Sequence, residues 1–371
     1  MEETPKMEEA EKTLRVGDGV RTIAHIKVIG VGGGGCNAVR RMMHEHTLRG
    51  VDYIVVNTDI KSLELTSHTQ SVQYSIQIGS HLTEGFGAGG EPKVGELAAM
   101  ESRMALQKVI RGADLVFITA GMGGGTGTGS APVVADIARE SGALVIAVVT
   151  TPFSFEGNKR TEVAFAGLRR LMEKVNSTII VPNDHLLRLG DHDVPIQKAF
   201  AAADRVVAEG IMSISELINI PGEINVDLAD VKRVMGIPGV ALMATGWGKG
   251  ANGAEQAAEE VIYEPLLETH VNGAKGVLFC FSGGPDLTLG GVEKAASLIS
   301  KHVDPRALIF FGINLPREEL IGQVKINLVA TGIRPSVEGN WLSGVKQNLK
   351  STAAQAQPSK LTRLGMGYAS T

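Results

Sequence analysis

The chain has 371 residues, enough for two domains, and 43% of them are apolar. Its 36 basic and 40 acidic side chains give a formal net charge of −4, which disfavours a protein that binds nucleic acid by charge alone. The two cysteines are far apart, the first residues are acidic and polar, and no apolar run approaches membrane-spanning length. These features argue against a disulfide framework, a secretory signal and a direct membrane span, so we expect a cytoplasmic protein.

Residues 1–22 are charged and lack apolar periodicity, which predicts a disordered tail. The next block, residues 23–195, alternates apolar runs with amphipathic stretches, and this predicts an α/β fold whose parallel sheet is covered on both faces. Its predicted strands lie at IKVIGVG from Ile26, Val51–Asp59, Ile76–Ile78, Leu115–Ala120, Ala143–Thr150 and Ser177–Val181. Its predicted helices are Asn37–Met43, Pro92–Val109 and Ser130–Glu140.

A long central helix is predicted over residues 196–219, because apolar residues keep helical spacing from Ile196 until a Pro-Gly pair. The elements that follow predict a smaller α/β domain over residues 220–335. Its helices are expected near Leu228–Val234, Ala254–Tyr263 and Gly291–Lys301, and its strands at Gly276–Phe281, Ala307–Ile313 and Gln323–Ala330. Residues 336–371 are rich in Ser, Gln and Ala and predominantly basic, so we expect a short, weakly ordered tail.

The strongest chemical signal is the run GMGGGTGTG, Gly121–Gly129, between an apolar strand and a predicted helix. Glycine lets backbone N–H groups approach a ligand closely, and consecutive N–H groups form an anion-binding concavity. The following helix adds the positive end of its dipole, and Thr126 and Thr128 add hydroxyl donors. We therefore predict a phosphate cradle, which is not a Walker A loop because no Lys-Ser or Lys-Thr follows.

A second glycine turn, GVGGGGCN, matches the dinucleotide pattern at Gly30, Gly32 and Gly35. Asp52 or Asp59 lies at a plausible sequence distance for a ribose contact, so a dinucleotide-dependent oxidoreductase is one reading of this segment. The richer second loop argues against that reading, because two phosphate loops on neighbouring strands would hold one triphosphate from both sides.

Two further segments have both a structural and a ligand-binding interpretation. The patch GFGAGGEP, Gly85–Pro92, is either a surface loop or a cover for the terminal phosphate. Glu156 and Arg160 are four residues apart, which fits an ordinary helical ion pair. They also follow a predicted parallel strand, and ligands bind beyond the carboxyl ends of such strands.

Asp227 and Asp230 stand three residues apart at the start of a predicted helix, with Asn225 just before them. From the residues alone, helix capping is the favoured interpretation. A pair of carboxylates can also orient and polarise a water molecule. However, this pair follows the long helix and need not reach the phosphate site of its own chain.

Taken together, these motifs resemble the tubulin/FtsZ family of polymerising GTPases over residues 26–331. GGGTGTG resembles the family signature, and the segments GVGGGGCNAV, NTD, GAGGEP, PFSFEGNKR, PNDHLL and NVDLADV follow in the family's order. The resemblance implies a GTP-binding domain joined by a long central helix to a C-terminal activating domain. It further implies binding of GTP or GDP, GTP hydrolysis, Mg²⁺ held mainly by the nucleotide phosphates, and a role in cell or organelle division at the division site.

The resemblance also assigns residues to the nucleotide. Glu156 and Arg160 would contact the ribose, while Asn183, Phe200 and Asp204 would recognise or stack on guanine. The full set expected to bind nucleotide is Gly33, Gly34, Asn37, Gly121, Gly123, Gly124, Gly125, Thr126, Gly127, Thr128, Gly129, Glu156, Arg160, Asn183, Phe200 and Asp204.

In this family the acidic loop of one subunit completes the site of the next. Asn225, Asp227 and Asp230 would then act in trans, with the aspartates positioning the attacking water, and head-to-tail contacts would build filaments. The partner is therefore expected to be the chain itself. A nucleotide-dependent scaffold that assembles without turnover is the rival, against which the presence of both aspartates argues.

Three departures from the family pattern stand out. Lys232 occupies a position where Arg is usual, and Ser67–Ser75 is a few residues longer than usual. The C-terminal end PSKLTRLGMGYAST lacks the usual mixture of acidic, Pro, aromatic and basic residues. Recruitment by membrane adaptors or other division proteins through this tail is accordingly in doubt.

Overall fold

One eleven-stranded sheet runs through the described part of the chain, which in the computed structural model comprises residues 24–45, 50–67, 72–184, 195–219, 222–237, 240–263 and 271–333. Its strands are β1 Ile26–Val31, β2 Val51–Asn57, β3 Tyr74–Gln77, β4 Leu115–Gly121, β5 Leu144–Thr151, β6 Ser177–Pro182, β7 Gly222–Ile224, β8 Val240–Lys249, β9 Gly276–Gly283, β10 Leu308–Asn314 and β11 Gln323–Ile333. Their spatial order is β3-β2-β1-β4-β5-β6-β8-β11-β9-β10-β7. Both predicted tails and part of Ser67–Ser75 lie outside the described residues.

Helices pack on this sheet. They are α1 Gly32–Glu45, α2 Ile60–Ser67, α3 Ser80–Thr83, α4 Pro92–Glu101, α5 Arg103–Ile110, α6 Thr126–Glu140, α7 Asn158–Met172, α8 Ile196–Asn219, α9 Leu228–Met235, α10 Gly253–Ile262 and α11 Leu289–His302. Short 3₁₀ turns lie at Ser154–Glu156, Gly250–Asn252 and Glu318–Leu320. None of the helices in the described ranges combines the length and apolarity that crossing a membrane requires.

The first half of the sheet is parallel, as predicted. β1 pairs with β2 and β4, and β5 lies between β4 and β6, all in parallel register. β1 and β4 are almost wholly buried, which is why their sequences are continuous apolar runs rather than alternating ones. The carboxyl ends of β1, β4, β5 and β6 consequently meet at one edge of the sheet.

The second half of the sheet is mixed. β8 joins β6 through two parallel pairs, Thr178 with Val240 and Ile179 with Ala241, and β11 then runs antiparallel to both β8 and β9. β10 is parallel to β9. Hydrogen bonding thus continues across the predicted boundary after residue 195, and the division into two domains stays a prediction.

The long central helix α8 confirms the predicted amphipathic pattern. Ala203, Val207, Ile211 and Ile214 recur at helical spacing and are all buried. Val207 and Ile211 belong to one apolar core that also includes residues from β1, β5, α9 and β9, so this helix is common to both halves of the sheet.

Several element boundaries differ from the sequence prediction. The helices predicted to start at Asn37 and Ser130 begin earlier, inside the glycine runs, at Gly32 and Thr126. The helix predicted over Pro92–Val109 is two helices that meet at Ser102. The helices α2 and α7 and the strands β7 and β8 had no predicted counterpart.

Glycines at the close contact of α4 with α6 explain why a helix can begin in a glycine run. A Cβ on Gly129 would collide with the Pro92 carbonyl oxygen and lie 2.8 Å from Glu96 N. Ser130 Oγ donates to Gly95 O across the same contact, at 2.7 Å. Backbone proximity thus compensates for the poor helix propensity of glycine.

We predict that Gly129→Ala destabilises the fold by about 1–3 kcal/mol, because backbone atoms must move to admit the methyl group. Gly290→Ala is the matched control, since a Cβ on this helical glycine would meet nothing within 4 Å. The control should be neutral or stabilising by up to about 1 kcal/mol. Urea unfolding of both variants without nucleotide measures the difference, and equal stabilities would contradict the packing argument.

Candidate functional site

A cavity of about 340 Å³ opens at the edge of the sheet where β1, β4, β5 and β6 end. This volume suits a small-molecule ligand, and the position is the usual one for ligands of parallel sheets. The lining residues are Gly33, Gly34, Asn37, Gly121, Met122, Gly124, Gly125, Thr126, Gly127, Thr150, Pro152, Glu156, Arg160, Asn183, Phe200, Ala203 and Asp204. The structure therefore brings thirteen of the sixteen predicted nucleotide-binding residues into one cavity.

One end of the cavity is built from backbone. The first turns of α1 and α6 both contribute to it, through Gly33 and Gly34 on one side and Gly124–Gly127 on the other. Two helix N-termini thus direct their positive dipole ends and free N–H groups into the same space. A site of this kind can bind phosphate without a lysine, and among the described residues Arg160 is the one cationic side chain in the lining.

Gly123, Thr128 and Gly129 lie outside the cavity lining. Thr128 is buried, and its Oγ1 accepts a hydrogen bond from Gly123 N at 2.8 Å, so its hydroxyl holds the loop together. Gly123 has a φ of 101°, a conformation suited to glycine. These three residues maintain the shape of the loop. The sequence alone does not distinguish this structural role from contact with the ligand.

The other end of the cavity carries side chains suited to a flat base. Asn183 is 5% exposed, and its Oδ1 has no hydrogen-bond partner within the described structure, so it is available to an N–H donor of a ligand. Phe200 on α8 is 42% exposed and packs edge-on against the buried Phe153, with ring centroids 5.1 Å apart. The partly open ring offers a stacking surface.

Asp204 lies one helical turn after Phe200 and lines the same end. Burial raises the pKa of its carboxyl from 3.8 to about 6, and Arg41, 3.5 Å away, opposes this rise only in part. A desolvated carboxylate is a strong acceptor for paired N–H donors such as those of guanine.

Glu156 and Arg160 form the helical ion pair that their spacing predicts, and their contact with a ligand stays a prediction. Their side chains form an ion pair at 2.9 Å between residues four positions apart in the chain, and Glu156 Oε1 also accepts from Phe153 N at 2.9 Å. Both residues line the cavity. The ion pair holds the two side chains in a fixed arrangement within this lining.

The acidic segment lies outside this cavity. Asp227 is the N-cap of α9, and its Oδ1 accepts from Asp230 N at 2.8 Å, which confirms the capping interpretation. Asn225 Oδ1 accepts from Gly222 N at 2.6 Å. Neither the aspartates nor Asn225 belongs to the cavity lining of their own chain.

Met122, Thr150, Pro152 and Ala203 line the cavity but were missed from the sequence. Thr150 lies near the end of β5 and Pro152 follows this strand, both within the segment TTPFSFEGNKR. Thr150 lies beside Gly121 in the sheet register, so the predicted parallel pairing could have identified this residue. Ala203 precedes Asp204 on α8 and presents no chemical group that a pattern would single out.

The structure shows what two glycines of the first turn do and where the two aspartates considered for a ribose contact lie. Cβ atoms on Gly30 and Gly35 would collide with the Gly35 and Thr119 carbonyl oxygens, so these glycines serve packing between β1, α1 and β4. Asp52 lies near the start of β2, at the opposite end from the cavity. Asp59 Oδ1 instead accepts from Lys61 N at 3.0 Å.

The fold and the phosphate-binding geometry thus define an α/β nucleotide-binding protein. Residues 25–191 match the family model for the GTPase domain of the tubulin/FtsZ family, and residues 239–334 match that for the C-terminal domain of the FtsZ family.

Solved structures agree with the family models. The chain is 40% identical to an empty FtsZ dimer from M. jannaschii, with a TM-score of 0.77 over 84% of this chain and 89% of that one. CetZ2 from Haloferax volcanii, in a GTPγS-bound protofilament, shares 20% identity and a TM-score of 0.72 over 88% of this chain and 99% of that one. The latter similarity shows the fold alone.

The chain belongs to the FtsZ branch of the tubulin/FtsZ family. It is therefore a GTPase of that family, and the ligands of its nucleotide site are GTP and GDP. The sequence resemblance to this family, and the α/β fold that it implied, are confirmed.

We predict that Asp204→Asn stabilises the nucleotide-free protein at pH 8. The folded state holds the Asp204 proton more tightly than the unfolded chain, so wild-type stability falls as pH rises from 3.8 through about 6. Asparagine removes this dependence, with an advantage of about 1–3 kcal/mol at pH 8 that disappears near pH 4. Thermal melting at both pH values checks this, and a less stable variant at pH 8 would contradict it.

Proposed function

We propose that the chain assembles head to tail and hydrolyses GTP at sites shared between neighbouring subunits. The observation that carries the proposal is the chemical incompleteness of the cavity. Its phosphate-binding end is formed by glycines and Thr126, and within the described lining it offers no carboxylate to orient an attacking water.

The ionisable residues of the lining support this interpretation. They are Glu156, Arg160 and Asp204, and each already has an ionic partner at the ribose or base end. The acidic segment from Asn225 to Asp230 has the missing chemistry and lies outside its own chain's cavity. A second subunit that inserts this segment over the bound phosphates would complete the site.

Asp230 is the better candidate for orienting water. Asp227 already accepts the backbone bond that caps α9, whereas Asp230 contributes only its N–H to that cap. Its side chain is partly exposed at the first turn of the helix. We assign Asp227 and Asn225 to the shape and charge of the segment, and Asp230 to the attacking water.

The remaining assignments follow the family. Mg²⁺ would be held mainly by the nucleotide phosphates, since no cluster of three or more His, Cys, Asp or Glu side chains suited to a metal occurs in the described ranges.

We propose a cytoskeletal filament that acts in cell or organelle division, located in the cytoplasm at the division site. The domain division at residues 23–195, 196–219 and 220–335 is proposed on the same basis, with the two family models on either side of α8.

The first prediction of this proposal concerns base choice. Asn183 and Asp204 offer acceptors where adenine also presents acceptors, so ATP would leave buried groups unpaired at about 1–3 kcal/mol each. GTP should therefore bind roughly tenfold or more tightly than ATP. Competition of both nucleotides against a fluorescent GDP analogue measures this, and equal affinities would remove the base-recognition roles of these two residues.

The second prediction concerns shared catalysis. Specific activity should rise with protein concentration above a threshold, and Asp230→Asn should lower the plateau rate about a hundredfold while leaving GTP binding by the monomer intact. Phosphate release and equilibrium binding are measured on the same samples. Asp227→Asn removes the negative charge at this position but keeps a good N-cap, so it separates the effect of the charge on activity from the effect of helix stability. Glu223→Gln, an exposed acid on the nearby β7, is the control that should retain activity.

Mixing two inactive variants tests the head-to-tail arrangement directly. Asp230→Asn keeps its own cavity, while Thr126→Arg blocks the phosphate end with bulk but keeps its acidic segment. One of the two possible interfaces between them contains a complete site, so mixing should restore part of the activity. Two variants that assemble together without any recovery would refute completion in trans, and a flat specific activity at all concentrations would refute a shared site.

A further inference from the structure

We propose that Thr58 is a positioning residue for the nucleotide phosphates: its hydroxyl donates to Thr126 and leaves the Thr126 proton for a phosphate oxygen. The inference rests on the proposed phosphate role of Thr126. Thr58 itself lies outside the cavity lining, just after β2, and is 0% exposed.

The contact joins two distant parts of the chain. Thr58 Oγ1 lies 2.6 Å from Thr126 Oγ1, a short distance typical of a strong hydroxyl–hydroxyl bond. The main chain of Thr58 is held by the buried Asn57, whose Oδ1 accepts from Thr58 N at 2.9 Å. Thr126 is only partly buried and lines the phosphate end of the cavity.

The direction of this bond follows from burial. Each hydroxyl has one proton, and the two share a single hydrogen bond. If Thr126 donated, the proton of Thr58 would be sealed in the interior with no other acceptor among the described residues, an unfavourable arrangement. Thr58 therefore donates, and the proton of Thr126 is free to point into the cavity.

This direction makes Thr126 a better anion ligand. A hydroxyl that accepts a hydrogen bond is polarised and becomes a stronger donor through its own proton. It would join the backbone N–H groups at the start of α6 in binding a phosphate oxygen. Thr58 thus acts only through Thr126, and only on ligands that carry phosphate.

The test compares GDP with guanosine, which has the same base and ribose but no phosphate. Nucleotide-free full-length protein, kept dilute to limit assembly, is titrated with each ligand. Thr58→Val should weaken GDP binding about 3- to 10-fold, the effect of one lost hydrogen bond, and leave guanosine binding unchanged. Thr58→Ser should restore GDP binding to within about twofold of wild type, because it keeps the hydroxyl.

A double-mutant cycle separates positioning from a general loss of stability. In a Thr126→Val background, Thr58→Val should have almost no further effect on GDP affinity, since the bond has already been removed. Thr331→Val is the control: it deletes another buried hydroxyl, which donates to Val234 O in the other half of the sheet, and should leave GDP affinity unchanged.

Two results would overturn the inference. One is equal weakening of GDP and guanosine by Thr58→Val, and the other is a Thr58→Val effect that persists in full on the Thr126→Val background. Guanosine binding also reports an intact cavity. If the Thr58→Val variant does not bind guanosine, Thr58→Ala replaces it in every comparison. Failure of wild-type protein to bind either ligand would instead refute the proposed nucleotide site.

Discussion

The close approach of backbone to backbone at the ends of β1 and β4 is the constraint on which the site depends. Gly30 and Gly35 leave no room for a Cβ between β1, α1 and β4, and Gly127 is packed in the same way, with 2.6 Å between a Cβ position and Gly121 O. This packing brings the first turns of α1 and α6 together, so that two sets of free N–H groups face one cavity. Charge from lysine is unnecessary when the main chain itself supplies the donors and the dipoles.

The base end of the cavity differs from the phosphate end, because side chains rather than backbone line it and their polar groups are buried and incompletely paired. Asn183 Oδ1 is without a partner in the described structure. Burial of Asp204 makes ionisation of its carboxyl less favourable. Both arrangements lower the stability of the empty protein. In the proposed recognition of guanine, the base would supply the missing N–H groups, so the same residues that destabilise the free state would favour guanine over a base that presents acceptors.

The sequence was informative where local pattern and structure agree. Continuous apolar runs located β1, β4 and β5, and the apolar spacing of α8 located the long helix. It failed where packing overrides local preference: the first turns of α1 and α6 consist largely of glycine, which propensity places outside helices. β8 contains Gly246 and Gly248, because a Cβ there would collide with Ala257 O and Gly253 O of the adjoining segment. The contact of Thr58 with Thr126 joins residues 68 positions apart, and no local sequence pattern predicts it.

The acidic segment has an observed role in the fold and a proposed role in assembly. Asp227 stabilises α9 as its cap and thereby fixes the backbone direction of the turn that carries Asp230. A turn whose backbone is held in this way loses little further backbone freedom when a neighbouring subunit docks, which favours the orienting role proposed for Asp230. Since the segment lies beyond α8 and outside its own chain's cavity, the water-orienting role proposed for it would need a second copy of the chain, and turnover would then follow from filament contact. The capping interpretation, which the structure confirms, is compatible with the proposed catalytic one, because the cap acts on the backbone of the same turn.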